Sequence, residues 1–333
     1  MITPTVLKKV SMVTAGAAFI TLAAGGKAQA AALAPSFSSF YSITDLGPVP
    51  ELPETYAGIT FKAGDSNTLL IGGLANTLDS GIYAVKVTRG SDDQIIGFGT
   101  ASLFAKAPGI SEGGVDASIA YSPNTDVLFY TSYPDNSIGQ IKQGSTDPDK
   151  QIALNAFGIP ASTGGLNFVP KGFPGAGRLK FTSYTANLFF DTTIIPDGAG
   201  TYDIAEPSQS IQLSGGLDSF NYIKAENPGF SKDSLLLLEY DAGKIAAYAI
   251  DVNGDPIAAT RQDFVTDIAN PIGSTIDPVT GDLLLSSQSL NKVFVVRGFT
   301  PPTSIPEPQT VSVTGLVLLG LGLLLKPRFR THN

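Results

Sequence analysis

Short apolar stretches alternate with turn-rich gaps along most of this chain, and the alternation itself repeats. Strand-like segments led by glycine recur as "AGITF" at Gly58, "GGVDASIAYS" at Gly113, "GGLNFVP" at Gly164, "GGLDSFNYI" at Gly215 and "IGSTIDP" at Gly273, spaced by 55, 51, 51 and 58 residues. Each is followed by a gap and a second, more apolar segment: "NTLLIGGL", "DVLFYTSY", "GRLKFTSY", "DSLLLLEY" and "GDLLLSSQ". A third segment comes next ("GIYAVKV", "SIGQIKQG", "NLFFDTTI", "KIAAYAI", "NKVFVVRGF"), and a more polar fourth leads to the next glycine ("IIGFGTASLFA", "QIALNAF", "SIQLS", "ATRQDFVTDI"). Period-two alternation in "KIAAYAIDV" and "NKVFVV" predicts half-buried strands. Asp277-Pro278-Val279-Thr280-Gly281-Asp282 and Asn253-Gly254 supply turn chemistry between them. With 36 Gly and 23 Pro spread along the chain, long helices are excluded from this region.

Units of roughly fifty residues built from four short strands predict a β-propeller. The fifth unit stops at Phe299 without a fourth strand, whereas an orphan strand, "SFSSFYSITDLGP", stands at the front of the domain. Its Thr44-Asp45-Leu46 echoes Thr266-Asp267-Ile268, which closes the fourth unit. If the N-terminal strand completes the last unit, the ring shuts and no exposed edge remains. The expectation is an all-β propeller over residues 35–300, with five blades, or six if 31–56 or 299–310 holds more structure. In strand rhythm the units loosely resemble NHL-type and gluconolactonase-like propellers. No motif carries that likeness, so it assigns no functional residue.

Both ends of the chain read as addresses. Lys8 and Lys9 precede the apolar stretch "VSMVTAGAAFITLAAGG", and Ala28-Gln29-Ala30 has the spacing of a cleavage site. Residues 1–30 are therefore expected to be a secretory signal cut near Ala30 or Ala32. A first membrane helix is the alternative, but the run is short and rich in Ala, Gly and Thr. At the other end, a linker over 301–310 holds Pro306-Glu307-Pro308. Val311 to Leu325 then gives 15 residues without a charge, and a basic tail over 326–333 contains Lys326, Arg328 and Arg330. Such a run is marginal against the about 20 apolar residues of a comfortable membrane helix. Its basic end prefers the cytoplasmic side, which leaves the body outside, as the N-terminal signal also requires.

The tail resembles the PEP-CTERM sorting signal of Gram-negative and cyanobacterial exported proteins, with Pro306, Glu307 and Pro308 as its motif, Thr310 and "GLVLLGLGLLL" next, and the basic cluster last. Pro327 departs from the usual run of Arg and Lys. The resemblance implies an exosortase as processing partner, cutting near the motif and discarding the helix; a simple tail anchor is the alternative.

Charge sharpens this picture. Lys8, Lys9, Lys27, Lys326, Arg328 and Arg330 belong to the ends, leaving 15 basic against 29 acidic residues in the rest of the chain. That balance disfavours nucleic acid and anionic lipid as partners. With no Cys, disulfides and Cys-based redox or zinc chemistry are excluded. The single His is His332, in the basic tail, so no Ser-His-Asp set can form in the body.

In a propeller the innermost strands line a central channel. Here they would present Asp116, Asn167, Asp218, Asn221 and Asp277, a set that could bind a ligand or a hard cation such as Ca²⁺, which takes about six to eight oxygens. The same residues equally suit solvation of the channel and capping of strand ends. Asp116 and Asp218 are the first candidates for a paired-carboxylate site. "DVNGDP" has the start of a calcium loop but Gln262 where the closing Glu should stand, so a hairpin turn is expected there. Tyr130, Tyr133, Phe181, Tyr184, Phe189 and Phe190 suit either a sugar platform or the core. The functional expectation is an exported, non-enzymatic binding or matrix protein of the envelope or extracellular polysaccharide, with polysaccharide or a cell-surface protein as partner. The alternative is a secreted sugar or lactone hydrolase using a divalent cation.

Overall fold

The computed structural model describes residues 30–160 and 162–301. Pro306, Glu307, Pro308, the apolar run 311–325, the basic tail and all of the signal segment except Ala30 lie outside the described residues. Among the described residues no helix is long and apolar enough to cross a membrane.

Five sheets stand in a ring, with strands in sequence order from the centre outward except where N-terminal strands add to the outer edges of blades 4 and 5. Blade 1 comprises Ile59–Lys62, Asp65–Gly73 and Gly81–Arg89, and its outer edge is split between Ile95–Phe98 and Ser102–Lys106. Blade 2 is Gly114–Tyr121, Val127–Tyr133, Ser137–Lys142 and Lys150–Ala153. Blade 3 is Thr163–Phe168, Leu179–Ser183, Leu188–Thr192 and Gln209–Gln212, with a small hairpin, Ile194–Pro196 and Tyr202–Ile204, inserted before its last strand. Blade 4 is Leu217–Ile223, Ser234–Glu239, Lys244–Ala249 and Gln262–Thr266. Blade 5 is Pro271–Ile276, Leu283–Ser287 and Lys292–Arg297, completed by the N-terminal Ser42–Gly47.

The closing strand pairs antiparallel, Ser42 with Arg297 and Thr44 with Val295. This is the expected closure, and a six-bladed ring is not formed. The segment 31–56 does hold one unforeseen strand, but it is two residues long. Ala32–Leu33 adds to the edge of blade 4, with Ala32 opposite Thr266.

Each blade is sandwiched between two others, which explains the unbroken apolar runs of the second strands. In Ser234–Glu239, Leu236 and Leu238 pack toward blade 5, whereas Leu235 and Leu237 pack toward blade 3. In Val127–Tyr133, Val127 and Phe129 join the cluster shared with blade 3, and Leu128 and Tyr130 the cluster shared with blade 1. The period of two is intact; both faces are simply buried. Five hydrophobic clusters result, one for each pair of neighbouring blades.

The centre is tight. A methyl carbon added at Gly58 would stand 2.6 Å from the Ser118 carbonyl carbon of blade 2, and one at Gly165 would stand 2.3 Å from the Asp218 carbonyl oxygen of blade 4. Glycine recurs on the innermost strands because backbones meet there without room for a side chain.

Candidate functional site

The second strands of successive blades end at one mouth of the channel. The residue that finishes the quoted second segment is Leu74 in blade 1, Tyr133 in blade 2, Tyr184 in blade 3, Tyr240 in blade 4 and Gln288 in blade 5. Four of these, Tyr133, Tyr184, Tyr240 and Gln288, line one cavity of about 150 Å³ together with Asn76, Asp116, Asp218 and Ile272. In blade 1 the backbone takes positive φ at Leu74 (52°) and Asn76 (64°). That turn brings Asn76 into the ring in place of Leu74, and Asn tolerates the left-handed region better than most residues.

The three tyrosines form an arc of edge-to-face contacts. Tyr133 and Tyr184 have ring centroids 6.4 Å apart at 82°, and Tyr184 and Tyr240 are 5.8 Å apart at 86°. Two of the hydroxyls are anchored by side chains. Tyr184 Oη donates to Asp241 Oδ1 at 2.7 Å, and Tyr240 Oη donates to Gln288 Oε1 at 2.6 Å. Such anchoring fixes the rings before any ligand arrives.

Below them lie two carboxyls from non-adjacent blades. Asp116 is 6% exposed and Asp218 is 3% exposed. Burial pushes the Asp116 carboxyl up to about 7, against hydrogen bonds from the Ala117 amide and the Asn76 side chain that favour its ionised form. Burial, and then the charges of Asp116 and Asp241, push Asp218 well above the ordinary carboxylate range. Burial also carries Tyr240 up to about 12, with Asp218 and Asp116 adding to it. Each carboxyl therefore holds its proton to higher pH than an exposed carboxyl does.

The other sequence candidates go elsewhere. Asn167 and Asn221 line the opposite mouth, with Thr60, Tyr121, Tyr222 and Ser274, around a cavity of about 210 Å³. There they stitch blades: Asn167 Nδ2 donates to the Phe220 carbonyl at 2.9 Å, and Asn221 Nδ2 donates to Ser274 Oγ at 2.7 Å. Asp277 leaves the channel and accepts a two-pronged pair from Arg89 of blade 1, Nη1 at 2.7 Å and Nη2 at 2.9 Å. The five residues thus form no single ring. Glu112 is exposed.

Oxygen donors for a cation exist at the tyrosine mouth: the Asp116 and Asp218 carboxyls, and Asn76 Oδ1, which is buried without a hydrogen-bond partner. They are few against the about six to eight that Ca²⁺ takes, and no group of three or more His, Cys, Asp or Glu is placed to hold a metal among the described residues. "DVNGDP" is a turn, as expected. Asp251 Oδ1 accepts the amides of Asn253 and Asp255, and Asp255 is taken up by Lys180.

The quoted aromatics divide. Tyr130, Phe181, Phe189 and Phe190 are buried in the blade interfaces, whereas Tyr133 and Tyr184 face the mouth. Tyr240, Gln288 and Asn76 were not among the sequence candidates. The signal for the first two was present, since each ends the same repeat segment as Tyr133 and Tyr184.

No protein-family model matches the sequence, and comparison with curated proteins finds no relative. Among solved structures, the chain is similar to the glutaminyl cyclase of Myxococcus xanthus, at 10% identity over 78% of this chain and 97% of that one, TM-score 0.45. A luciferin-regenerating enzyme is similar at 11% identity over 76% of this chain and 81% of that one, TM-score 0.45. An auxiliary nutrient binding protein from Bacteroides thetaiotaomicron is similar at 10% identity over 78% and 76%, TM-score 0.43. Likenesses this distant transfer no activity to the chain, which is a five-bladed propeller by its own topology.

Proposed function

We propose that this chain is an exported binding propeller that seats a small polar ligand, such as an exposed unit of extracellular polysaccharide, at the tyrosine mouth. One observation carries the reading: a single repeat position from four successive blades converges on one cavity floored by two buried carboxyls. Aromatic rings with a few convergent polar groups are the usual make-up of a ligand site. In this reading the secretory signal takes the body out of the cytoplasm. The Pro306-Glu307-Pro308 tail then hands it to an exosortase for placement at the envelope or in the matrix.

Retention on immobilised exopolysaccharide tests the proposal. Tyr184→Ala and Tyr240→Ala should abolish retention, while Tyr121→Ala at the opposite mouth should not. Equal loss, or no loss, in all three variants would remove the tyrosine mouth as the site.

The proton held by Asp116 and Asp218 favours a second reading, a sugar or lactone hydrolase in which one carboxyl donates and the other accepts. Turnover of a lactone or glycoside panel, lost in Asp116→Asn, would establish that reading; a panel without turnover would dismiss it.

A further inference from the structure

We infer that the ligand of the tyrosine mouth carries an ammonium group on a polar, ring-sized body, the chemistry of a hexosamine with a free amine. This rests on the reading of the mouth as the binding site. It follows from how the chain treats most buried carboxylates elsewhere, Asp282 being the exception. Asp191 and Asp255 meet Lys180, Glu239 meets Arg261, and Asp277 meets Arg89, each within 2.8 Å. The mouth pair has no such counter-ion among the described residues.

Asp218 is 3% exposed and lines the cavity, yet no described residue donates a hydrogen bond to its carboxyl. The further charges acting on it, Asp116 and Asp241, are negative as well. Among the described residues no Lys or Arg lines the cavity. A buried carboxyl without a partner is costly, and the missing partner defines what would be welcome there. A uronate or phosphate would gain no counter-charge from Asp116 and Asp218 and would be repelled wherever they ionise. A neutral sugar could bond with Gln288 and Asn76 but would leave the carboxyls as they stand. An ammonium answers both the charge and the vacant acceptors, and tyrosine rings beside it add the attraction of an aromatic face for a cation. The body must be polar because Asn76 Oδ1 also lacks a partner.

Cation binding favours the ionised carboxyls, so it must expel a proton that burial holds on Asp116 or Asp218. The groups facing that proton are Asp116, Asp218, Asp241, Tyr133, Tyr184 and Tyr240. Burial raises both mouth carboxyls above the ordinary carboxylate range, Asp116 to about 7.

The test is calorimetric titration of the folded propeller with glucosamine and with N-acetylglucosamine, in two mildly acidic buffers of different ionisation enthalpy. Glucosamine should bind at least about tenfold more tightly and release protons to the buffer, whereas N-acetylglucosamine should release none. Asp218→Asn, checked for folding by circular dichroism, should lose the preference and the proton release. Equal affinity for both sugars without proton release overturns the inference and leaves the mouth as a neutral-sugar site. Polysaccharide retention that needs Tyr184 but resists competition by glucosamine overturns it equally. Retention that no mouth variant alters removes the site and the inference together.

Discussion

The Lys180 ammonium of blade 3 meets the Asp255 carboxylate of blade 4 at 2.5 Å, with side chains 0% and 2% exposed. It also meets Asp191 at 2.7 Å, and Asp191 takes a two-pronged pair from Arg178. Asp255 sits in the turn whose backbone is fixed by Asp251. Charge therefore joins the two blades inside an otherwise apolar wall. Replacing Lys180 by Met leaves Asp255 buried without a cation, and breaking such a pair costs about 3–5 kcal/mol. Urea unfolding should show a much lower midpoint for Lys180→Met. Adding Asp255→Asn should restore part of the loss, and a Lys180→Met midpoint equal to wild type would show that the network adds nothing.

Gly58 marks where blades 1 and 2 touch. Its amide donates to the Asp116 carbonyl at 2.7 Å, and the atoms nearest its missing Cβ are backbone atoms of Ser118 and Ile119. Backbone cannot rotate away as a side chain can. Gly58→Ala should therefore cost about 1–3 kcal/mol and disturb the Asp116 side of the mouth. Gly97→Ala, where nothing lies within 4 Å of the added carbon, is the matched control. Equal melting temperatures for the two variants would mean that the blades yield at their centre.

Tyr41 holds the ring shut from its outer end. It stacks near Phe299 (4.6 Å) and Phe264 (5.3 Å) and donates its hydroxyl to the Pro228 carbonyl at 2.7 Å. Tyr41→Phe should cost about 1 kcal/mol, the net value of one hydrogen bond, and Tyr41→Ala about 3–5 kcal/mol, as for a lost core aromatic. Removing the chain before Val49 would bare the Lys292–Arg297 edge, a template for pairing between molecules. Light scattering should then find oligomers; a monomeric truncated protein would contradict this account of closure.

Packing also bears on where the proposed secretory signal would be cut. Ala31 and Leu33 pack against the blade 4–blade 5 core, and Ala32 pairs with Thr266. Cleavage after Ala30 keeps these contacts, whereas cleavage after Ala32 removes half of the edge strand. Protein recovered from its native host should begin at Ala31 and, if the tail is processed by an exosortase, end near Pro308. Mass spectrometry reads both ends at once. Copies that keep the C-terminal apolar run would refute the sorting step, and a start at Leu33 the N-terminal one.

The ring was legible because a propeller repeats one unit and glycine marks where its inner strands crowd together. Blade count and closure followed from the spacing of Gly58, Gly113, Gly164, Gly215 and Gly273 and from the orphan Ser42–Gly47 strand. The site was only half legible. Asp116 and Asp218 stood out as polar residues on inner strands, but so did Asn167, Asn221 and Asp277, and the direction each side chain takes depends on the bulges between the first and second strands of a blade. Blade 3 shifts register between Thr163 and Leu166, and blade 4 between Leu217 and Phe220. One residue of slip sends a side chain to the other face, and no composition or spacing records it. Asn76 was invisible for a similar reason, since its place depends on two left-handed residues in a loop.

The mouth carboxyls make stability fall as pH rises. Asp116 and Asp218 have folded values above the unfolded one, about 7 for Asp116 against 3.8. The native state then binds more protons than the unfolded chain between these values. Their contribution is full below the unfolded value and is lost as pH rises through the folded one. Asp126, Asp135, Asp149, Asp191 and Asp263 are shifted the other way, so their contribution is lost as pH falls through their depressed folded values. The melting temperature should therefore peak in mildly acidic solution and decline toward alkaline pH. Asp218→Asn removes one of the opposed carboxyls. It should stabilise the protein more at alkaline than at mildly acidic pH, because the cost of ionising a buried carboxyl is removed. Thermal melts of wild type and variant from mildly acidic to alkaline pH check it, and parallel curves would mean that burial does not hold Asp218 protonated.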